Sequence, residues 1–104
     1  MLDIDDFKPV NDTWGHLRGD EIITEVAGIL MEQSRKTDKC IRWGGEEFIV
    51  ILPFCALEKA RQIAESIRKI MADTIFEDIG QVTLSIGATE STDDDSPVSI
   101  LERV

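Results

Sequence analysis

Two acidic residues beside a pair of glycines form the chemically most suggestive stretch of this chain, Gly44-Gly45-Glu46-Glu47. Glycine has no Cβ, so the backbone there can turn tightly and a phosphate can approach it closely. Mg²⁺ prefers hard oxygen ligands and commonly shares them with substrate phosphates. The stretch therefore has the groups that a magnesium and phosphate site requires, although a merely solvated acidic turn has the same composition.

Apolar residues on both sides of this stretch predict a β-hairpin that carries the acids at its tip. Residues 40–43 have the composition of a short strand, and residues 49–53 form a largely β-branched run that ends at Pro53. A turn held between two strands is rigid, so it would keep its carboxylates in the fixed positions that a metal site requires.

The composition predicts one soluble globular domain: of 104 residues, 42% are hydrophobic and 31% are charged. The net charge of −10 disfavours a nucleic-acid partner, because proteins that bind the phosphate backbone are usually basic. No apolar run is long enough to span a bilayer, and the N-terminus does not resemble a signal peptide. Cys40 and Cys55 lack metal or disulfide spacing, which predicts reduced, mostly buried thiols and a cytoplasmic location.

Two segments have the apolar spacing of amphipathic helices, residues 20–33 and residues 58–71. Residues 5–19, before the first of them, are polar and contain two glycines. We predict that this segment is a connection and that the helix begins at Asp20.

Strands are predicted at both ends of the chain. Residues 1–4 resemble the end of a buried strand, and residues 82–88 alternate between apolar and small or polar side chains. Ser96 and Pro97 have the residue types of an N-cap and a first helical position, so residues 98–104 are predicted to begin a further helix.

The resulting order, β-α-β-β-α-β, predicts an α+β fold of the ferredoxin-like type, with an antiparallel sheet and both helices on one face. In this topology the first and third strands lie side by side and run in opposite directions. Asp3, at the end of the first, therefore comes beside Glu46 and Glu47, at the start of the third. Carboxylates that converge from two strands suit metal-assisted phosphoryl transfer.

Three motifs, in order and at matching separations, make the chain resemble the GGDEF family of diguanylate cyclases. Residues 44–48 have the Gly-Gly-Glu-Glu-Phe form of the family signature. Residues 2–16 resemble the first-strand and substrate-loop motif, with residues 19–20 at the family's spacing, and residues 82–87 resemble its late strand. The resemblance covers residues 1–104 and implies the palm-like fold of nucleotidyl cyclases and polymerases.

The resemblance also implies a metal site and the catalytic residues. Mg²⁺ (or Mn²⁺) would be held by Asp3, by the main-chain carbonyl of Ile4 and by Glu46. Glu47 would be either a second metal ligand or a proton-handling group, so that Asp3, Glu46 and Glu47 form the catalytic set.

For the substrate, the resemblance implies GTP. Asn11 and Asp20 fall where the family reads guanine: a carboxylate accepts from the ring N–H and the exocyclic amine, and an amide donates to O6. Lys8 and the backbone from Phe7 to Lys8 fall near the β- and γ-phosphates, and Gly44-Gly45 would let the turn approach the nucleotide.

By this resemblance two GTP molecules are joined into cyclic di-GMP with release of pyrophosphate, each 3′-hydroxyl attacking the α-phosphate of the other. Two half-sites must then face each other, which implies a two-fold homodimer in the active state. No nucleic-acid partner and no membrane segment in this chain are expected.

Arg35 and Asp38 have the spacing and position of the family's RxxD site, where cyclic di-GMP binds and inhibits. An arginine can form a forked contact with a phosphate or stack on guanine, and the aspartate can accept from it.

Relative to the family, residues 1–104 are expected to lack an N-terminal helix with the start of strand one, and a C-terminal helix with basic residues. Two hypotheses therefore remain: a competent diguanylate cyclase core, and a regulatory module that binds GTP or cyclic di-GMP without turnover. A different nucleotidyl cyclase or polymerase-like enzyme, which rests on the fold alone, is a third.

Some polar and aromatic residues near the motifs are assigned structural roles. Trp14 and Trp43 are predicted to be packing residues rather than stacking platforms for a base. Asp5, Asp6 and Asp12 are predicted to form caps and turn hydrogen bonds rather than to bind metal.

Overall fold

The computed structural model describes all 104 residues as an antiparallel four-stranded sheet, four helices and a small separate hairpin. The strands are β1 (Leu2–Ile4), β2 (Lys39–Arg42), β3 (Glu47–Ile51), β4 (Ile75–Phe76), β5 (Gly80–Gln81) and β6 (Leu84–Ile86). The helices are α1 (Phe7–Trp14), α2 (His16–Gln33), α3 (Leu57–Asp73) and α4 (Pro97–Arg103). No helix is both long enough and apolar enough to cross a membrane.

The strand order of the main sheet is β2-β3-β1-β6, and every neighbouring pair is antiparallel. Strand β1 lies in the centre, with Asp3 opposite Glu47 of β3 on one side and opposite Ser85 of β6 on the other. This confirms the predicted adjacency of the first and third long strands, and with it the α+β palm-like topology.

One face of the sheet is buried because side chains alternate along each strand. Leu2 and Ile4 are buried, whereas Asp3 between them is exposed. Phe48 and Leu84 continue the buried face on β3 and β6, and they join the core with apolar residues of α2 and α3. The most completely buried side chains are those of Ile22, Val26, Leu30 and Met71. The helices thus cover one face, and the face with Asp3 stays open.

The predicted connection over residues 5–19 is wrong, because it contains helix α1 and the first turn of α2. Pro9 lies in the first turn of α1, where its missing N–H would have no helical partner. Phe7 of the same turn is buried in the core. Gly15, with φ of +87°, separates the two helices, and α2 begins at His16 rather than at Asp20. Tertiary burial of Phe7 outweighs the polar local composition here.

The hairpin of β4 and β5 was not predicted, since two residues per strand are too few to show an alternating pattern. The two tryptophans, predicted to be packing residues, are only partly covered: Trp14 is 41% exposed and Trp43 54% exposed. Cys40 and Cys55 are free thiols, as expected, but each is only partly buried.

Helix α4 confirms the predicted start at Ser96 and Pro97. The Ser96 hydroxyl accepts from the Ser99 N–H, and the Ser99 hydroxyl accepts from the Ser96 N–H, which forms a capping box. At the other end of the helix, Arg103 donates two hydrogen bonds to Asp95. These contacts hold the pKa of the Asp95 carboxyl far below its usual range.

Candidate active site

The tip of the β2–β3 hairpin is fixed by hydrogen bonds within the turn. The N–H groups of Trp43 and Gly44 donate to the Glu47 carbonyl over 2.8 and 3.2 Å. The Arg42 guanidinium donates to the carbonyls of Gly44 and Gly45 over 3.2 and 2.9 Å. These four contacts fix the backbone next to both acidic side chains without using their carboxylates.

The two glycines of the tip are not needed for the turn itself. Neither has a positive φ. A Cβ on Gly44 would come no closer than 3.8 Å to Glu47, and one on Gly45 would meet nothing within 4 Å. Their small size instead leaves the exposed surface of the tip open, which suits a ligand that lies against the backbone.

Strand β1 brings a third acidic side chain to this tip. Asp3 lies directly opposite Glu47, and both point to the open face of the sheet, Asp3 exposed and Glu47 half-buried. Like charges directly opposite one another are unfavourable unless a cation lies between them. The sequence predicted Asp3 beside Glu46 and Glu47 together, and the register shows that Glu47 is its cross-strand partner.

Glu46 is joined to β1 through the backbone instead. The Ile4 N–H donates to the Glu46 carbonyl over 3.1 Å, but the reverse hydrogen bond, from the Glu46 N–H to the Ile4 carbonyl, is not made. The Ile4 carbonyl therefore accepts no hydrogen bond from the acidic turn, although Ile4 as a whole is only 2% exposed. With the carboxylates of Asp3 and Glu47 it offers only oxygen ligands, the type that Mg²⁺ prefers.

This oxygen-ligand set does not hold a metal ion by itself. No group of three or more acidic, histidine or cysteine side chains comes close enough together to do so. A main-chain carbonyl and few carboxylates leave coordination positions for substrate phosphates, as is usual for Mg²⁺ in phosphoryl-transfer sites.

The residues predicted to read guanine lie at the contact of α1 with α2. Gly19 is buried, and a Cβ there would lie 1.9 Å from the Asn11 amide oxygen and 3.2 Å from the Phe7 ring. Asn11 therefore packs over Gly19, one residue before Asp20. Its amide oxygen is buried and has no hydrogen-bond partner, whereas Asp20 is exposed.

The predicted phosphate-binding residues lie at the start of α1. Asp6 precedes this helix with φ of +54°, and no side chain caps it. The Phe7 side chain belongs to the core, so only its backbone is available to a ligand, while Lys8 is exposed. An uncapped helix start with a neighbouring lysine is favourable for an anion.

Arg35 and Asp38 contact each other in the turn between α2 and β2. Asp38 is buried and accepts from the Arg35 backbone N–H (2.7 Å) and guanidinium (2.8 Å), and the guanidinium also donates to the Pro53 carbonyl. The hydrogen bonds from Arg35 hold the pKa of Asp38 below its usual range. Arg35 stays half exposed and lines a surface cleft of about 490 Å³ together with Phe54 and Lys59.

Two opposed carboxylates on the open face of an antiparallel sheet, beside the Ile4 carbonyl, define a palm-type domain with a candidate metal and nucleotide site. Comparison with protein families agrees, because the family described as "Diguanylate cyclase, GGDEF domain" matches residues 1–104. The chain belongs to the GGDEF family.

Three similar proteins show how far the relationship extends. Diguanylate cyclase DgcP of Pseudomonas aeruginosa is 40% identical over 99% of this chain and 16% of its own length. The GGDEF domain of DgcB from Caulobacter crescentus, solved in complex with c-di-GMP, is 37% identical with a TM-score of 0.93, over 98% of this chain and 63% of its own. The active GGEEF domain of a diguanylate cyclase from Vibrio cholerae is 38% identical with a TM-score of 0.76, over 80% of this chain and 54% of its own. The chain thus spans about one sixth of the first relative.

Sequence reasoning missed three contacts at this site. It gave no role to Gly19 beyond its spacing from the substrate-loop motif, none to Arg42 in the hairpin tip, and none to the hydroxyls of Thr83 and Ser85 beside β1. The contact of Gly19 with Asn11 could have been suspected, because a glycine directly precedes Asp20. The other two depend on contacts across the turn and across the sheet, which spacing does not reveal.

Proposed function

We propose that this chain is the catalytic core of a diguanylate cyclase, which condenses two GTP molecules into cyclic di-GMP. In each half of the reaction a 3′-oxygen forms a bond to the α-phosphorus of the other nucleotide. The bond from that phosphorus to the β-phosphate bridge breaks, so pyrophosphate leaves. Membership of the GGDEF family and the relatives named diguanylate cyclase support this reaction class.

The observation that carries the proposal is the opposition of Asp3 and Glu47, with Glu46 next to them through its hydrogen bond from the Ile4 N–H. We assign Asp3, the Ile4 carbonyl and Glu46 to Mg²⁺ or Mn²⁺, and Glu47 either to the same metal site or to the 3′-hydroxyl proton. When bound, the metal would neutralise charge on the phosphate oxygens. The hydrogen bonds of the hairpin tip would hold these groups in place before GTP binds.

Guanine recognition is assigned to Asn11, which packs over Gly19, and to the exposed Asp20 that follows Gly19. Asp20 would accept from the N1–H and the exocyclic amine, and the Asn11 amide would donate to O6. Adenine has the opposite pattern at these positions and would leave the groups unpaired. The backbone of Phe7 and Lys8, the Lys8 ammonium and the exposed Gly44-Gly45 surface would contact the phosphates.

The reaction requires two copies of the chain. Each copy would hold one GTP, and two-fold symmetry would bring each 3′-hydroxyl to the other α-phosphate. Because GTP is an intracellular nucleotide, the proposed reaction also places the chain in the cytoplasm.

We further propose that Arg35 and Asp38 form an inhibitory site for cyclic di-GMP. The half-exposed guanidinium lies in the same cleft as Lys59, and both cations suit the phosphates of the product. Asp38 orients Arg35 toward this cleft. The c-di-GMP complex of the similar DgcB domain supports product binding by this type of domain.

The test is product analysis after incubation of the chain with GTP and Mg²⁺. Glu46→Gln and Glu47→Gln remove one charge each at the site, and Glu25→Gln, on the exposed side of α2, is the matched control. We expect cyclic di-GMP from the parent and from Glu25→Gln, and at least about a hundredfold less from the site variants, the size of effect seen when a single group acting on the transition state is removed.

One result would contradict the cyclase assignment and another the assignment of its site. Binding of GTP or cyclic di-GMP without product would favour a regulatory module that binds the nucleotide without turnover. Product from both site variants at the parental rate would mean that Glu46 and Glu47 are not the catalytic groups.

A further inference from the structure

Asp5 is the one acidic residue at the end of β1 whose carboxylate is fully engaged within the protein. The Thr83 hydroxyl donates to one carboxylate oxygen over 2.7 Å, and the Ser85 hydroxyl donates to the other over 2.5 Å. The Asp5 N–H also donates to the Thr83 carbonyl over 3.0 Å. Three contacts thus tie the last residue before the turn to the neighbouring strand.

This hydroxyl clamp, Asp5 with Thr83 and Ser85, lies where the chain changes direction. The residue before it, Ile4, donates its N–H to the Glu46 carbonyl of the acidic turn, and the residue after it, Asp6, has the left-handed φ of +54° that leads into α1. A left-handed residue with a side chain persists only where its surroundings hold it. Since α1 has no side-chain cap, the clamp acts together with the buried Phe7 side chain to fix the position of the helix start.

Asp5 therefore differs in kind from Asp3, two residues earlier on the same face of the sheet. No side chain donates to Asp3, which is exposed and free to bind a ligand. Both oxygens of Asp5 are already used by hydroxyl donors. An ionised carboxylate accepts only, so it matches two donors better than an amide, which has one acceptor oxygen.

We propose that Asp5 is a positioning residue for the triphosphate. Through Thr83 and Ser85 it holds the turn from Ile4 to Lys8, so that the Ile4 carbonyl and the backbone at the start of α1 keep the geometry that binds phosphates. The inference rests on the proposed function, because that function places the phosphates here.

Simple electrostatics and the positioning role predict opposite effects on GTP binding when the Asp5 charge is removed. Removal of a carboxylate next to the phosphate site reduces repulsion and should strengthen GTP binding. The positioning role predicts weaker GTP binding, because the turn loosens. A general loss of stability would weaken binding of GMP and GTP alike. Loss of the clamp should weaken binding of GTP more, because only GTP has the β- and γ-phosphates that the turn contacts.

The experiment compares GTP with GMP by titration calorimetry in the presence of Mg²⁺. The variants are Asp5→Asn and the double variant Thr83→Val with Ser85→Ala, which removes both hydroxyl donors. We expect each to lose about tenfold in GTP affinity relative to GMP, in line with the loss of charge-assisted hydrogen bonds. Thr83→Ser with Ser85→Thr keeps both hydroxyls and should restore the parental preference. Asp6→Asn removes a neighbouring charge that has no side-chain partner and should keep or strengthen GTP binding.

Amide hydrogen exchange without nucleotide provides the second measurement. Phe7 and Lys8 should exchange faster in Asp5→Asn and in the double variant, with no change in the core of α2. A parental GTP preference in both variants, or parental exchange at these two amides, would overturn the clamp. If the parent itself binds no GTP, the proposed function fails for this chain. The exchange rates then decide alone whether Asp5 holds the turn.

Discussion

At the scale of single residues, the tightest fit in the candidate site is that of Asn11 over Gly19. Any side chain at Gly19 would collide with the Asn11 amide, since a Cβ would lie 1.9 Å from its oxygen. We expect Gly19→Ala to displace Asn11 and to weaken GTP binding by about tenfold, the effect of one or two lost hydrogen bonds to the base. The preference of this variant for GTP over ATP should fall as well. Binding of both nucleotides is measured by calorimetry.

Gly28→Ala is the matched control for this prediction. It lies on the exposed side of the same helix, and a Cβ there would meet nothing within 4 Å. Alanine is a better helix former than glycine, so this variant should raise the free energy of unfolding by up to about 1 kcal/mol and leave nucleotide binding unchanged. Parental guanine selectivity in Gly19→Ala would show that Asn11 does not read the base.

At the scale of the elements, the turn between α2 and β2 depends on the pairing of Arg35 with buried Asp38. The pKa of Asp38 is lowered in the folded state, so its ionised form stabilises the fold above the unfolded-state pKa of about 3.9. Because solvent screens the half-exposed Arg35, we expect Asp38→Asn to cost only about 1 to 2 kcal/mol at neutral pH. Urea unfolding measures this difference.

The pH dependence distinguishes loss of the ion pair from a packing defect. The stability difference between the parent and Asp38→Asn should be constant above about pH 5. It should shrink as the pH falls from about 4 toward the lowered pKa of folded Asp38, because the unfolded parent takes up the proton first. Asp94→Asn, in an exposed loop, should match the parent throughout. A difference that persists unchanged at low pH would mean that the ion pair is not its source.

At the scale of the whole molecule, the proposed reaction needs two copies of a chain whose net charge is −10. Like-charged copies repel, and salt screens this repulsion over about 10 Å at 0.1 M ionic strength. We expect the initial rate per chain to rise with chain concentration and, at fixed concentration, to rise on moderate addition of salt. Product formation measured over a dilution series tests this. A rate per chain that is constant on dilution would contradict assembly of the site from two copies.

The elements with local signals could be predicted from the amino-acid sequence alone. The helical spacing of Ile22, Val26 and Leu30, the cap at Ser96 and the alternation in residues 82–88 all correspond to elements that form. Together with the glycine-acid turn, these patterns were sufficient for the fold class and for the family. They work because periodicity and cap chemistry act over a few neighbouring residues.

The tertiary fold sets which side chains of the site meet. It placed Asp3 opposite Glu47, joined the Ile4 N–H to the Glu46 carbonyl, and joined Asp5 to hydroxyls about 80 residues away. It also made a helix of residues 7–14, because burial of Phe7 overrides a polar local sequence. Strand register and core packing are set by contacts between distant segments, and a shift of one residue would turn every side chain to the other face.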